Sequence, residues 1–201
     1  MTNARDAEQS SVKVMHSIAL ATRGFDACVP QHDQCFAAYR QEFDYVCRTL
    51  RRLGVHPDDV EDVLHDFFLV LYRKWGDYDA SRPLRPYLFG IAYRVAIGHF
   101  RRNRHRLRAA DANEVELEDG RPRPDQALAA EQDRALVLRA IERVPLERRA
   151  VMVMHDIDDV PMRDIASVMS IPLFTAYSRL RKGRKEFEAA VQRLRKGSDL
   201  R

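Results

Sequence analysis

Apolar residues recur every three or four positions through most of the chain, which is the spacing of one face of an α-helix. This period predicts helices over 32–53, 57–75, 86–108, 131–144 and 146–156. No segment shows the strict apolar–polar alternation of a half-buried strand. The pattern therefore predicts an all-α fold.

The ends of two helices carry their own signals. Gly54 follows the first predicted helix, in the usual place for a helix C-terminus. Pro57 opens the second, and the acidic residues after it complement the positive end of the helix dipole. The segment 76–86 contains two prolines and is predicted to be a loop.

The segment 109–130 has no apolar period and is rich in Asp and Glu, with two prolines and a glycine. Such a composition is typical of a flexible linker. The chain is therefore predicted to have four parts: an N-terminal extension over 1–31, a helical domain over 32–108, a flexible acidic linker over 109–130 and a second helical domain over 131–197.

A helix-turn-helix is predicted between positions 160 and 185. Two short helical patterns meet there at a turn over 169–172, and the second is rich in Arg and Lys. In a DNA-binding helix-turn-helix the second helix reads the duplex. Its outward side chains, which suit base edges and phosphates, are Thr175, Ser178, Arg179, Arg181 and Lys182. A last helix continues to 197.

The helix over 86–108 ends in five arginines between positions 101 and 108, a pattern typical of phosphate binding. Aromatic residues stand among cationic ones earlier in this helix, and rings of this kind can stack on unpaired bases. The helix over 57–75 instead exposes an acidic face, which is either solvated or a docking surface for a basic partner helix. Its residues are Asp59, Asp62, His65, Asp66 and Leu69.

Composition excludes several classes of protein. The 201-residue chain has a formal net charge of only +4. It has three cysteines and no CxxC pair, so we expect no disulfide framework and a reducing compartment. The spacing of Cys28, His32, Cys35 and Cys47 matches no standard zinc module, and we expect neither a metal nor a cofactor. No run approaches the ~20 apolar residues of a membrane span, so we expect a cytoplasmic protein without membrane insertion.

Three segments in this order resemble the sigma-70 family, and in particular its extracytoplasmic-function (ECF) group of two-domain bacterial sigma factors. Residues 60–75, VEDVLHDFFLVLYRKW, are similar to the segment that binds the clamp helices of RNA polymerase. Residues 87–102, YLFGIAYRVAIGHFRR, are similar to the segment for the –10 promoter element. Residues 144–184, which hold the helix-turn-helix, are similar to the family's second domain.

The resemblance implies a role for each surface and no catalytic residue, because a sigma factor does no covalent chemistry. The acidic face of 57–75 would bind core polymerase, whose clamp helices and flap are the expected contacts. The candidates for –10 DNA are Tyr78, Arg82, Arg85, Tyr87, Arg94, Arg101 and Arg102. The outward residues of the helix-turn-helix would bind the –35 duplex. An anti-sigma factor is a further expected partner.

This chain departs from the family pattern at several positions. The family usually has Gln-Glu where His65 and Asp66 stand, and Trp at Tyr87. It usually has Asn at Arg94, Asp at Gly98 and Lys at Tyr177.

Two other functions fit parts of the pattern. One is a stand-alone helix-turn-helix regulator whose first domain dimerises or senses a signal, and the other is an RNA-binding adaptor that uses the arginine-rich helix. The acidic face over 57–75 discriminates between them and a sigma factor, because a simple repressor does not need it. A repressor is also expected to bind a two-fold symmetric duplex as a dimer.

Overall fold

A computed structural model describes residues 30–109 and 135–198, and within these ranges it contains helices and no strand. The all-α prediction is confirmed. The helices are α1 (Pro30–Arg52), α2 (Val60–Lys74), α3 (Leu84–Ala109), α4 (135–142), α5 (Leu146–Met152), α6 (Met162–Val168) and α7 (Leu173–Ser198). The predicted N-terminal extension and acidic linker lie almost entirely outside the described residues.

The chain divides into two compact units. The first contains α1, α2 and the first half of α3, and the second contains α4 to α7. Among the described residues no helix is long and apolar enough to cross a membrane.

The first unit is held together by aromatic side chains. The Tyr39 ring of α1 lies 5.0 Å from the Phe68 ring of α2 and 6.1 Å from that of Phe67, measured between centroids. From α3, Leu88 and Phe89 are fully buried in the same unit. Burying side chains of this size stabilises the fold by about 1.5–3 kcal/mol each.

The helix boundaries of the first unit follow local chemistry. Gly54 ends α1 as predicted, with a φ of +92° that is easy only for glycine. The N–H of Val55 donates to the carbonyl of Leu50 over 3.0 Å, which closes the helix end. Helix α3 begins at Leu84, two residues before the predicted start. Pro86 is therefore the third helical residue, where a backbone N–H would still have no intrahelical partner.

The second unit is built around α7. Ala176 and Leu180 are buried on one side of this helix, and both α5 and α6 pack against it. Gly183 permits a close approach, because a Cβ there would lie 3.2 Å from the carbonyl oxygen of Arg148 on α5. A larger residue at 183 would therefore push the two helices apart.

The turn between α6 and α7 is closed by two backbone hydrogen bonds. Ile171 N donates to Ala166 O over 2.9 Å, and Ser170 N donates to Ser167 O over 3.1 Å. This is the arrangement of a Schellman motif, and Ser170 has the left-handed φ of +53° that the motif requires. The predicted helix-turn-helix is thus present, with α6 and α7 as its two helices.

The segment before this motif differs from its prediction. A single helix over 146–156 was expected, but α5 ends at Met152 and a turn of π-helix follows over Val153–Ile157. The wider turn still buries Val153 and Met154. Apolar spacing cannot distinguish these two helix types over so few residues.

Candidate nucleic-acid interface

Four of the five acidic-face residues lie on α2, and Asp59 ends the 3-10 turn Pro57–Asp59 that precedes this helix. Asp62 is exposed, while Asp59, His65, Asp66 and Leu69 are partly exposed. The opposite face of the helix buries Val63, Leu64, Phe67, Phe68 and Leu71. One side of α2 and of the turn before it therefore presents three carboxylates, one imidazole and one apolar side chain to solvent.

Three aromatic rings meet where α2 ends and α3 begins, and we call them the aromatic cluster: Trp75, Tyr78 and Tyr87. The Tyr78 ring lies 5.3 Å from that of Trp75 and 4.9 Å from that of Tyr87, between centroids. All three side chains are partly exposed. Such a group of rings at a surface offers flat faces on which unpaired bases can stack.

Hydrogen bonds fix the two tyrosines of the cluster. The Tyr78 hydroxyl donates to the carbonyl of Arg82 over 2.7 Å, and the Tyr87 hydroxyl donates to the carbonyl of Lys74 over 2.6 Å. Burial raises the pKa of both phenols, and neighbouring carboxylates, Asp79 for Tyr78 and Asp77 for Tyr87, raise it further. Both hydroxyls therefore stay protonated at neutral pH and act as donors.

A short turn places Arg82 beside the cluster. The N–H of Ser81 donates to Asp79 Oδ1 over 3.0 Å, and Arg82 Nε lies 3.6 Å from Asp79 Oδ2. Hydrogen bonds from Ser81 lower the pKa of the Asp79 carboxyl, so it is ionised at neutral pH. The turn therefore holds the Arg82 guanidinium beside the Asp79 carboxylate, while the Arg82 carbonyl accepts from Tyr78 of the cluster.

Arg85 is anchored on the first helix. Its Nε donates to Glu42 Oε2 over 2.9 Å, and its guanidinium lies 5.2 Å from the centre of the Tyr45 ring. The carboxylate is largely buried, at 12% exposure, whereas the Arg85 side chain is 61% exposed. The guanidinium is thus held in place by one edge while most of its surface still faces solvent.

The remaining predicted cations follow along α3. Tyr87, Arg94 and Arg101 are spaced by seven residues, so they lie along one side of the helix. Arg94 donates to the carbonyl of Gly90 over 3.0 Å, and Arg101 and Arg102 are exposed. A strip of positive charge therefore leads away from the aromatic cluster.

The second unit presents the outward side of α7. Arg181 and Lys182 are exposed, and Thr175 and Ser178 are partly exposed. Arg179 differs from them, because its Nη2 donates to Glu147 Oε2 of α5 over 2.7 Å and its side chain is only 23% exposed. Of the three predicted cations on α7, two are therefore exposed to solvent and one is held by a carboxylate.

Three residues near these surfaces were missed by the sequence analysis. Trp75 was assigned only to the end of a helix, although it stands three residues before Tyr78. Phe174 and Lys185 are exposed on α7 and were not among the predicted contacts. Their outward position was implied by the helical period, since they lie opposite the buried Ala176 and Leu180.

Both described cysteines lie on α1. Cys35 is buried and Cys47 is partly buried, and burial raises the pKa of each thiol to about 12. Within 30–109 and 135–198 no group of three or more His, Cys, Asp or Glu residues is placed to hold a metal ion. Cys28 lies outside the described residues.

Two family models match the chain in order. Residues 38–106 match the model described as Sigma-70 region 2, and residues 134–187 match the one described as Sigma-70, region 4. The first contains the aromatic cluster, all of α2 and most of α1 and α3, and the second contains the helix-turn-helix.

Two curated relatives that are similar to the chain are also sigma factors. RNA polymerase sigma factor NccH of Alcaligenes xylosoxydans xylosoxydans is 25% identical over 150 residues, which cover 73% of this chain and 81% of that protein. The ECF RNA polymerase sigma-E factor of Escherichia coli (strain K12) is 25% identical over 144 residues, covering 68% and 75% respectively.

Two solved structures share the fold. The sigma factor RpoE from Bartonella quintana, in complex with the anti-sigma factor NepR, matches with a TM-score of 0.61 and 19% identity, over 77% of this chain and 96% of that one. CnrH in complex with the cytosolic domain of CnrY matches with a TM-score of 0.52 and 19% identity, over 79% and 87%.

Proposed function

Since the chain belongs to the sigma-70 family and is a sigma factor that directs RNA polymerase to promoters, we propose that its two domains divide promoter recognition between them. The observation that carries this proposal is the order of the two matched regions, with the aromatic cluster in the first and the helix-turn-helix in the second. The regulator and RNA-adaptor alternatives explain only one of these regions each.

In this proposal the acidic face of α2 binds the clamp helices of core polymerase. Asp59, Asp62 and Asp66 supply negative charge, which raises the rate of encounter with a basic partner and sets its orientation. Leu69, partly exposed on the same side, supplies apolar contact area once the partner has docked. His65, partly exposed beside Asp62 and Asp66, completes the contact surface.

The aromatic cluster receives unpaired bases of the –10 element. Base stacking on an aromatic ring is worth about 1–3 kcal/mol per base, comparable to the cost of taking a base out of the duplex. Arg82 and Arg85 lie in the segment between Tyr78 and Tyr87, and Arg94, Arg101 and Arg102 follow along α3. These cations track the phosphates of the strand whose bases the rings hold.

The outward side of α7 binds the –35 element as duplex. Thr175 and Ser178 supply hydroxyl groups for base edges, and Arg179, Arg181 and Lys182 supply cations for bases and phosphates. The second domain also contacts the polymerase flap. Together the two domains hold the promoter at two points.

Two further aspects follow from family membership. Because the polymerase and the chromosome are its partners, the protein acts in the cytoplasm. Regulation by an anti-sigma factor is proposed because the sigma factor RpoE, which shares the fold, was solved in complex with the anti-sigma factor NepR.

The test combines assembly and transcription. The purified chain is mixed with core RNA polymerase, co-purification is measured, and the complex is assayed by run-off transcription on a library of genomic fragments. We expect a stable holoenzyme and transcripts that start at a defined class of promoter. Failure to bind core polymerase, together with tight dimeric binding to symmetric duplex DNA, would show instead a stand-alone regulator.

A further inference from the structure

An exposed aromatic pair stands at the start of α7. Phe174 is 83% exposed, the highest value among the large hydrophobic residues in the described ranges, and Tyr177 is 55% exposed. The two are three residues apart, so their side chains are neighbours on the helix surface. Neither was among the predicted DNA contacts.

The fold does not use the Phe174 ring. The packing of α7 against α5 and α6 is supplied by Ala176, Leu180 and Gly183 on the other side of the helix. A ring left in water contributes none of the hydrophobic stabilisation that burial provides. Its surface is therefore available to a partner.

The surroundings of the ring identify the class of that partner. Phe174, Ser178, Arg181 and Lys185 are spaced by four, three and four residues, so they form one stripe along α7, and its two cationic members are exposed. Lys182 lies beside this stripe and is also exposed. An aromatic ring followed by cations along a recognition helix fits the major groove of a polyanionic duplex.

The major groove offers one apolar group to such a ring. Thymine carries a C5-methyl group there, whereas the other base edges present hydrogen-bond donors and acceptors, and Phe is among the side chains that contact this methyl. In a helix-turn-helix the N-terminal residues of the second helix reach the base edges. Phe174 is the second residue of α7.

We propose that Phe174 is a specificity-determining residue that reads a thymine methyl group in the –35 duplex, with Tyr177 packed beside it. The inference rests on the proposed function, because it requires α7 to lie in the major groove of the –35 element. It adds an apolar readout to the polar and cationic contacts predicted from the sequence.

The experiment removes the methyl group without changing base pairing. Holoenzyme is assayed by run-off transcription on a promoter found in the genomic library, with each –35 thymine replaced in turn by deoxyuridine. At one position we expect wild-type initiation to fall about 4-fold, the effect of losing one buried methyl group. On the thymine template, Phe174→Ala should initiate at least about 4-fold less than the wild type. Replacing that thymine by deoxyuridine should not lower initiation by this variant any further.

Val137→Ala is the matched control, since Val137 is an exposed apolar residue of the same unit, at 41%, outside α7. This variant should respond to deoxyuridine as the wild type does. Equal wild-type transcription from thymine and deoxyuridine templates would overturn the inference and leave the proposed function standing. A Phe174→Ala variant that remains sensitive to the methyl group would also overturn it. No transcription from the thymine template would remove the proposed function, and the inference with it.

Discussion

Arg179 Nη2 donates to Glu147 Oε2 over 2.7 Å and so connects the recognition helix α7 to α5. The carboxylate is 65% exposed, and the arginine is 23% exposed. An ion pair this open to water contributes at most about 1 kcal/mol to stability. Its main effect is to orient Arg179 and to offset its positive charge before DNA binds.

Removal of this carboxylate should strengthen binding to duplex DNA. Glu147→Gln deletes one negative charge next to the DNA-facing side of α7, so we expect affinity to rise several-fold at low salt. If Arg179 gains a phosphate contact, the salt dependence of log K should steepen by about one unit. Fluorescence anisotropy with a –35 duplex at several salt concentrations measures both.

Two variants control this experiment. Glu188→Gln removes an exposed acid from a later turn of α7 and should change affinity much less. Arg179→Ala should weaken –35-dependent initiation while core polymerase binding stays intact. Weaker DNA binding by Glu147→Gln would show that the ion pair is needed to position Arg179.

The ring of Tyr78 is expected to matter more than its hydroxyl. Tyr78→Ala removes the centre of the aromatic cluster and should weaken binding of a single-stranded –10 oligonucleotide to the holoenzyme by about 1–3 kcal/mol, or roughly 5- to 150-fold. Tyr78→Phe removes only the hydrogen bond to Arg82 and should cost about 1 kcal/mol or less. If the two variants are equally weak, the hydroxyl has the larger role.

Asp62 should act mainly on the rate of polymerase association. It is exposed on the acidic face of α2, so Asp62→Asn is expected to lower the association rate several-fold at low ionic strength, with the difference shrinking at high salt. Stopped-flow binding to core polymerase measures this. The control is Glu188→Gln, which removes the same charge from the second unit, and an equal effect of both variants would contradict the assignment.

The buried thiols predict a loss of stability at alkaline pH. Burial raises the pKa of Cys35 and Cys47 to about 12, above the ~8.5 of an unfolded cysteine. The folded state therefore favours the neutral thiol, and this contribution is complete below about pH 8.5 and lost as pH rises toward 12. In that window we expect the free energy of unfolding to fall steadily as pH rises.

Urea unfolding of the first domain from pH 8 upward, in a Cys28→Ser background, tests this. Replacing both remaining cysteines by Ala should lower stability at pH 8 and flatten its decline with pH. A smaller decline should persist, because burial also raises the pKa of Tyr39. An unchanged slope in the double variant would exclude the thiols as its cause.

The helices were predictable because they depend on residues a few positions apart in the sequence. The side-chain contacts of the candidate sites join residues that are far apart in the sequence. Gly54 marks a helix end by its own backbone freedom, and the buried stripe of α2 follows from residues three and four apart. The partners of Arg85 and Arg179 are 43 and 32 residues away in the chain, so no spacing rule identifies them. The helical period indicates which side of α7 faces outward, but a preference for polar candidates left Phe174 out of the predicted contacts.

The aromatic cluster has a practical consequence, because Trp75 is the single tryptophan of the chain. The Trp75 ring lies 5.3 Å from that of Tyr78, so tryptophan fluorescence reports on the environment of the aromatic cluster, to which we assign –10 bases. In the isolated protein, a base that stacks there would quench or shift this emission. The molecule thus carries a built-in optical reporter at the proposed site of strand capture, and the event can be timed without attaching a dye.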